Sequence, residues 1–194
     1  LINYLQLLSN IGLRQWTDEK LNYLARIPFA SNVQIEIGRN ISRVVFAIFN
    51  PPKKCLVLDL DNTLWGGVIG EDGISGIHLG EDYPGNVFRD FQRVVLSLRD
   101  QGVLLAIASK NNVNDALMVF EKHSGCILSK EDFSAIEINW NDKAKSLESI
   151  SNDLNIGLES MVFFDDNPVE RQWVKDNLPE VSVIDVPKSP IKYT

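Results

Sequence analysis

Cys55-Leu56-Val57-Leu58-Asp59-Leu60-Asp61-Asn62-Thr63 is an apolar run that halts on two carboxylates. An unbroken apolar tetrapeptide with no polar alternation describes a strand buried on both faces, as in a parallel sheet covered by helices. Side chains alternate along an extended strand end, so Asp59 and Asp61 project to the same side. Carboxylates held that close raise each other's pKa unless a cation lies between them. One short stretch thus carries both a fold class and a chemistry.

The same texture repeats downstream. Val103-Leu104-Leu105-Ala106-Ile107-Ala108 stops at Ser109, and Met161-Val162-Phe163-Phe164 stops at Asp165-Asp166. Val181-Ser182-Val183-Ile184 is a weaker copy. Helical spacing fills the intervals, over Val87 to Leu98, Val113 to Lys122, Lys143 to Leu154 and Val169 to Asn177. Apolar strands alternating with helices predict an α/β fold with a parallel central sheet covered on both faces. Ligands of such sheets bind outside the carboxyl ends of the strands, which is where Asp59, Ser109 and Asp165-Asp166 would meet. Asp165 or Asp166 then completes, with Asp59 and Asp61, an all-oxygen site suited to Mg²⁺. An ion there would bridge enzyme carboxylates and a substrate phosphate.

Residues 1–52 differ in texture. Trp16-Thr17-Asp18-Glu19-Lys20 offers a helix start, followed by Leu21, Leu24 and Ala25. Pro28 interrupts, Ile41, Val44, Val45 and Ile48 restore a helical stripe, and Pro51-Pro52 ends it. We therefore expect an N-terminal helical extension over 1–52, packed on a catalytic domain over 53–194.

Composition narrows the function classes. The 194 residues hold 19 basic and 26 acidic side chains, a formal charge of -7. That balance argues against non-specific nucleic-acid or anionic-membrane binding. No apolar run approaches the roughly 20 residues that span a bilayer. The only two cysteines, Cys55 and Cys126, have no metal-binding spacing, which fits a reducing cytoplasmic setting. The chain opens on Leu1 with neither methionine nor signal-peptide pattern, as expected of a domain cut from a longer protein.

The order Asp59-x-Asp61-x-Thr63, Ser109, Lys143, Asp165-Asp166 resembles the four signature motifs of the haloacid dehalogenase (HAD) superfamily. That resemblance implies a HAD-like Rossmannoid three-layer fold. It implies Asp59 as the nucleophile attacking phosphorus or as a metal ligand alone, and Asp61 as general acid and base. Ser109, Lys143 and Thr63 would contact the phosphoryl group, with fixing the loop as the alternative role for Thr63. Asp165 would bind Mg²⁺ directly, with Asp166 acting through water or orienting Lys143. Ser109 also reads as a plain helix N-cap, and Lys143 as a solvated helix-start lysine.

Longer strings narrow the resemblance. Asp59-Leu60-Asp61-Asn62-Thr63-Leu64-Trp65-Gly66-Gly67 and on to Gly73, Ala108-Ser109-Lys110-Asn111, Asn139-Trp140, Phe164 to Arg171, and Leu24 to Phe29 together resemble the FkbH-like branch of polyketide biosynthesis. That branch implies a glyceryl transferase and phosphatase. It would take a glyceryl unit from 1,3-bisphosphoglycerate or a related acyl phosphate, remove phosphate, and load the phosphopantetheine thiol of an acyl carrier protein. The competing readings are a plain Mg²⁺ phosphatase acting on a small metabolite or phosphoprotein, and a non-catalytic module that docks a carrier.

Residues 64–86 are too few for a separate cap domain, and their glycines suggest turns or a minimal flap. Trp65 either walls the pocket or sits in the core. Lys110, Asn111 and Arg171 are candidates for the distal phosphate or the glycerate, with an ion pair to Glu170 competing for Arg171. An enzyme-bound thioester would need a thiol nearby. Cys55 lies roughly 13 Å from Asp59 along an extended strand, at the wrong end of the sheet. Cys126, in an irregular stretch over 123–132, is the remaining candidate acyl acceptor, against direct transfer to a carrier thiol.

Overall fold

The computed structural model describes residues 4–49 and 52–193. Leu1 and Pro51, and the side chain of Ile48, lie outside the described residues. The chain divides into two compact units, Leu1–Pro52 and Lys53–Thr194.

The first unit is helical. It comprises α1 (Tyr4–Ile11), a 3₁₀ turn at Leu13–Gln15, α2 (Glu19–Ala25) and α3 (Ser31–Phe49). Asp18 caps α2 by accepting from the Leu21 N–H at 3.0 Å, as the Thr17-Asp18-Glu19 signal implies. Trp16 meets Phe29 edge to face at 6.0 Å, and a bridge pairs Thr17 with Phe29 across the turn that Pro28 forces. Ile41, Val44 and Val45 all fall on α3.

The second unit runs β1 (Cys55–Leu58), α4 (Ile69–Gly76), α5 (Gly85–Asp100), β2 (Leu104–Ser109), α6 (Val113–Lys122), β3 (Ala135–Ile138), α7 (Lys143–Leu154), β4 (Met161–Phe164), α8 (Pro168–Asn177) and β5 (Ser182–Val183). The strands pair in the order β3-β2-β1-β4-β5, every pair parallel. Successive residues of β1 feed opposite layers, because the strand repeat is two. Leu56 and Leu58 join Leu105, Ile107, Phe91, Val95 and Val119 on one side. Cys55 and Val57 join Phe163, Leu147, Ile150 and Val174 on the other. Helices α5 and α6 therefore cover one face, and α7 and α8 the other. This is the three-layer α/β sandwich that the apolar runs predict.

Two elements depart from the sequence reading. The glycine-rich stretch after β1 holds a real helix, α4, whose kink at Gly73 (φ 65°) needs a residue without a Cβ. Strand β3 has no clear signal in the sequence, since Ala135-Ile136-Glu137-Ile138 carries a charge in its middle. Glu137 is tolerated because it accepts from Ser149 Oγ and Asn139 Nδ2, both at 2.7 Å. Among the described residues, no helix is long and apolar enough to cross a membrane.

Register fixes where the functional groups emerge. Leu58 lies opposite Ile107 on one side and Phe164 on the other, so β1 and β4 end at one level and β2 runs two residues further, to Ser109. The chain runs outward from β1 to β2 and β3, then crosses back to β4 on the other side of β1, and this reversal opens a crevice above the carboxyl end of β1.

Candidate active site

Asp59 extends β1 by one ladder bond, its N–H donating to Phe164 O at 3.0 Å. That places its carboxylate beside Asp165, the residue following β4. Lys143 reaches both from the first position of α7, where Asp142 caps the helix by accepting from Lys145 N–H at 3.0 Å. The Lys143 ammonium donates to Asp59 Oδ1 at 2.5 Å and to Ala108 O at 2.6 Å. It stands 3.1 Å from Asp165 Oδ2 and over the Phe163 ring, 5.8 Å from its centre. The lysine is 2% exposed, so these partners replace water almost completely. Burial alone would lower its pKa, but the carboxylates of Asp59 and Asp165 outweigh burial and hold it above the ordinary lysine range. Lys143 is therefore a charged group built into the site, not a solvated helix-start residue.

The carboxylates form one group. Oxygens of Asp59, Asp165 and Asp166 lie within 4.8 Å of one another. Burial, then the Asp59 charge, raises the Asp165 pKa, with Lys143 opposing. Asp166 is pushed up to about 6 by burial, then by the charges of Asp59 and Asp165. Asp165 Oδ1 accepts from Asn167 N–H at 2.8 Å, while its Oδ2 is buried without a hydrogen-bond partner and meets Lys143 only as an ion pair. Three carboxylates thus face one ammonium. The surplus negative charge, the all-oxygen donors and the orphaned Asp165 Oδ2 fit a hard divalent cation such as Mg²⁺, whose ligands stand at about 2.1 Å.

The Asp61 carboxylate stands apart from that group. Its Oδ1 accepts from Trp65 Nε1 at 2.8 Å and from Ile69 N–H at 3.0 Å, and its Oδ2 accepts from Asn111 Nδ2 at 3.0 Å. All these donors orient the carboxylate toward the cleft wall. The sequence motifs place Asp61 among the ligands and Asp166 one layer out. The structure instead gathers Asp166 with Asp59 and Asp165, and gives Asp61 a fixed position beside them.

A cleft of about 310 Å³ is lined by Asp59, Asp61, Ser109, Lys110, Lys143 and Asp165, together with Asp166 and Glu170. Ser109, at the end of β2, is 3% exposed and its Oγ accepts from Asn111 Nδ2 at 3.1 Å. Lys110 enters the cleft and pairs with Glu170 at 2.6 Å. Asn111 joins Ser109 to Asp61 through its Nδ2 and so ties two cleft residues together. Among the described residues, the segment between β1 and α5 contributes only the eight-residue α4, too little for a separate cap domain.

Four residues that the sequence nominates for the site have other places. Trp65 is fully buried against Phe120 and touches the site only through Asp61, so it is no pocket wall. Thr63 is also fully buried, and its hydroxyl finds no partner among the described residues. Arg171 turns its guanidinium to Asp165 O and Asp166 O, at 2.7 Å each. It braces the backbone of the acidic loop, and among the described residues no ion pair joins it to Glu170. Cys126 is the clearest correction. Its thiol donates to Leu128 O at 3.2 Å and approaches Gln92 Oε1 at 3.6 Å, away from the cleft, and burial pushes its pKa to about 11. Such a thiol is not poised as a nucleophile. Cys55 is buried at the first residue of β1, its pKa pushed to about 12 by burial.

Asn62, Asn167, Pro168 and Glu170 also line the cleft, although the sequence does not single them out as site residues. The two asparagines carry a local signal. Asn62 takes the left-handed conformation (φ 54°) that asparagine tolerates, and Asn167-Pro168 is the cap and first position of α8. Glu170 carries none, since only the fold brings it to Lys110.

The chain is similar to a solved phosphatase-containing domain. Over 98% of its length it superposes, with a TM-score of 0.77 and 37% identity, on the N-terminal part of the protein BF1531 from Bacteroides fragilis, a structure that contains a phosphatase domain complexed with Mg. The match covers 51% of that chain, so this chain spans about half its length. The HAD family enzyme bt-2542 from Bacteroides thetaiotaomicron shares the fold at 14% identity and a TM-score of 0.50, over 71% of this chain and 95% of that one. No family model and no curated protein sequence matches the chain. The architecture is the HAD-like α/β fold.

Proposed function

We propose that the cleft above β1 is a Mg²⁺-dependent phosphoryl-handling site and that this domain is a HAD-type phosphohydrolase. The observation that carries the reading is Lys143, buried and charged, joining Asp59 to Asp165 while Asp61 is held separately on the same cleft. The Mg complex of the similar Bacteroides fragilis domain supports the cation. Mg²⁺ held by Asp59, Asp165 and Asp166 would offset their mutual repulsion and the charge of the substrate phosphate.

The remaining chemistry belongs to side chains. Asp59 attacks phosphorus, forming an aspartyl-phosphate as the bond to the leaving oxygen breaks. Asp61 gives that oxygen a proton. It then takes a proton from the water that attacks the same phosphorus and restores the Asp59 carboxylate. Lys143 and Ser109 Oγ–H donate to the phosphoryl oxygens. Asp61 suits its part because its oxygens are fixed by three donors and lie outside the cation group.

The test is Mg²⁺-dependent phosphate release from a panel of phosphomonoesters and acyl phosphates. Asp59→Asn should lower turnover by at least roughly a thousandfold with folding intact. Equal rates for wild type and Asp59→Asn would sink the reading.

The narrower form is glyceryl transfer from 1,3-bisphosphoglycerate to an acyl carrier protein. It is supported by the Asp59–Gly73 and Phe164–Arg171 strings and by a β1–α5 segment too short to form a cap domain, which suits a bulky acceptor. With Cys126 remote, the acyl group would pass directly to the carrier thiol. Intact-mass measurement of a cognate carrier, incubated with the domain, Mg²⁺ and the acyl phosphate, separates the two. Phosphate release with no carrier adduct leaves only the phosphohydrolase.

A further inference from the structure

Beside the catalytic cleft, and sharing Lys110 and Glu170 with it, is a second hollow of about 220 Å³. Its other walls are Val169 and Trp173, one turn apart on α8, and Asp142, the cap of α7. Trp173 is 49% exposed, an unusual position for so large an apolar ring. The ring lines the hollow together with Asp142, which accepts from Lys145 N–H at 3.0 Å. Val169, 72% exposed, adds an aliphatic surface on the same helix.

The charges around this hollow are selective. Asp142 keeps its carboxylate below the ordinary range, because Lys145 N–H donates to it, and so remains anionic. Glu170 is the other carboxylate, and its partner Lys110 is already engaged at 2.6 Å. Lys145 likewise pairs with Asp142 at 3.2 Å, so a second phosphate or a carboxylate entering here would find both lysines already engaged by carboxylates, over an apolar floor. A neutral group with an apolar face would gain contact with indole and isopropyl without electrostatic penalty.

We infer that this hollow is the subsite for the far side of the substrate: it takes an uncharged group with an apolar face, joined to the phosphate that sits at Asp59. The inference rests on the phosphoryl reading of the cleft and adds the class of substrate. Continuity supports it, since Lys110 and Glu170 form a sill common to both spaces. A molecule with its phosphate at Lys143 and Ser109 crosses that sill to reach Trp173. Trp173 is then a specificity residue that contributes to binding and not to the bond broken.

The experiment uses non-hydrolysable phosphonates on the whole chain with Mg²⁺, so that turnover is not needed. The affinities of 1-naphthylmethylphosphonate and methylphosphonate are measured by calorimetry for wild type, Trp173→Ala and Trp173→Phe. Wild type should favour the naphthyl ligand by about tenfold; Trp173→Ala should erase most of that ratio and Trp173→Phe restore part of it. A ratio near one in wild type, or a ratio unmoved in Trp173→Ala, overturns the subsite while leaving the phosphoryl reading intact. If neither phosphonate binds wild type, both fail together.

Discussion

At the scale of single residues, the site is governed by a shortage of positive charge. Asp165 and Asp166 are both raised by burial and by neighbouring carboxylates, so without a cation the folded state holds protons more tightly than the unfolded chain does. The contribution of these groups is then largest in acid and is lost as pH rises through about 6, the Asp166 value. Urea unfolding in EDTA should show wild type losing stability, relative to Asp166→Asn, between about pH 4 and about pH 6. Parallel profiles for the two proteins would contradict this. The residues legible in the sequence are those standing at the ends of apolar runs: Asp59, Ser109 and Asp165 need only strand order to converge. Trp65 and Cys126 are illegible for a different reason. Which way each one faces depends on the helices packed over it, and no local pattern records that.

At the scale of elements, α8 and α5 have roles that are not visible in their apolar stripes. Arg171, on the first turn of α8, holds the carbonyls of both acidic-loop residues. Arg171→Met should keep the fold but weaken Mg²⁺ binding by about tenfold or more, as loss of outer support does at metal sites, measured by calorimetry. Gln92 is a fully buried amide in α5. Its Nε2 donates to Leu64 O at 2.8 Å, and its Oε1 accepts from Ile127 and Leu128 N–H at 2.8 and 3.1 Å. Gln92→Met preserves volume and leaves those backbone groups unpaired, so urea denaturation should report a loss of about 3 kcal/mol. The sequence shows α5 to α8 closely because their apolar spacing is regular. It hides β3 and α4. The first is a four-residue strand with an internal glutamate satisfied from outside, and the second is a helix whose glycine content reads as turn.

At the scale of the whole molecule, the parallel sheet sets the site by register and the charge sets its appetite. A chain of formal charge -7 gathers five carboxylates on one cleft, three of them within 4.8 Å of one another, so a divalent cation should act as a folding ligand as well as a cofactor. Mg²⁺ at a hundredfold excess over its Kd should raise unfolding free energy by about 2.7 kcal/mol, and NaCl at matched ionic strength should not. Coinciding denaturation curves with and without Mg²⁺ would refute the cation site. The alternation of strands and helices makes the layers legible. The meeting of Lys110 with Glu170 is not, because they come from different parts of the chain, 60 positions apart.

The Lys143 ammonium carries three hydrogens. Two are committed to Asp59 Oδ1 and Ala108 O, and one is left for either Asp165 Oδ2 or an arriving phosphoryl oxygen. There is one acceptor more than there are hydrogens. Whatever draws the Asp165 oxygen away releases that hydrogen, and whatever takes the hydrogen frees the Asp165 oxygen in turn. Cation and phosphate should therefore each tighten the other's hold by the same factor, a reciprocity set by a single amine that has run out of protons to share.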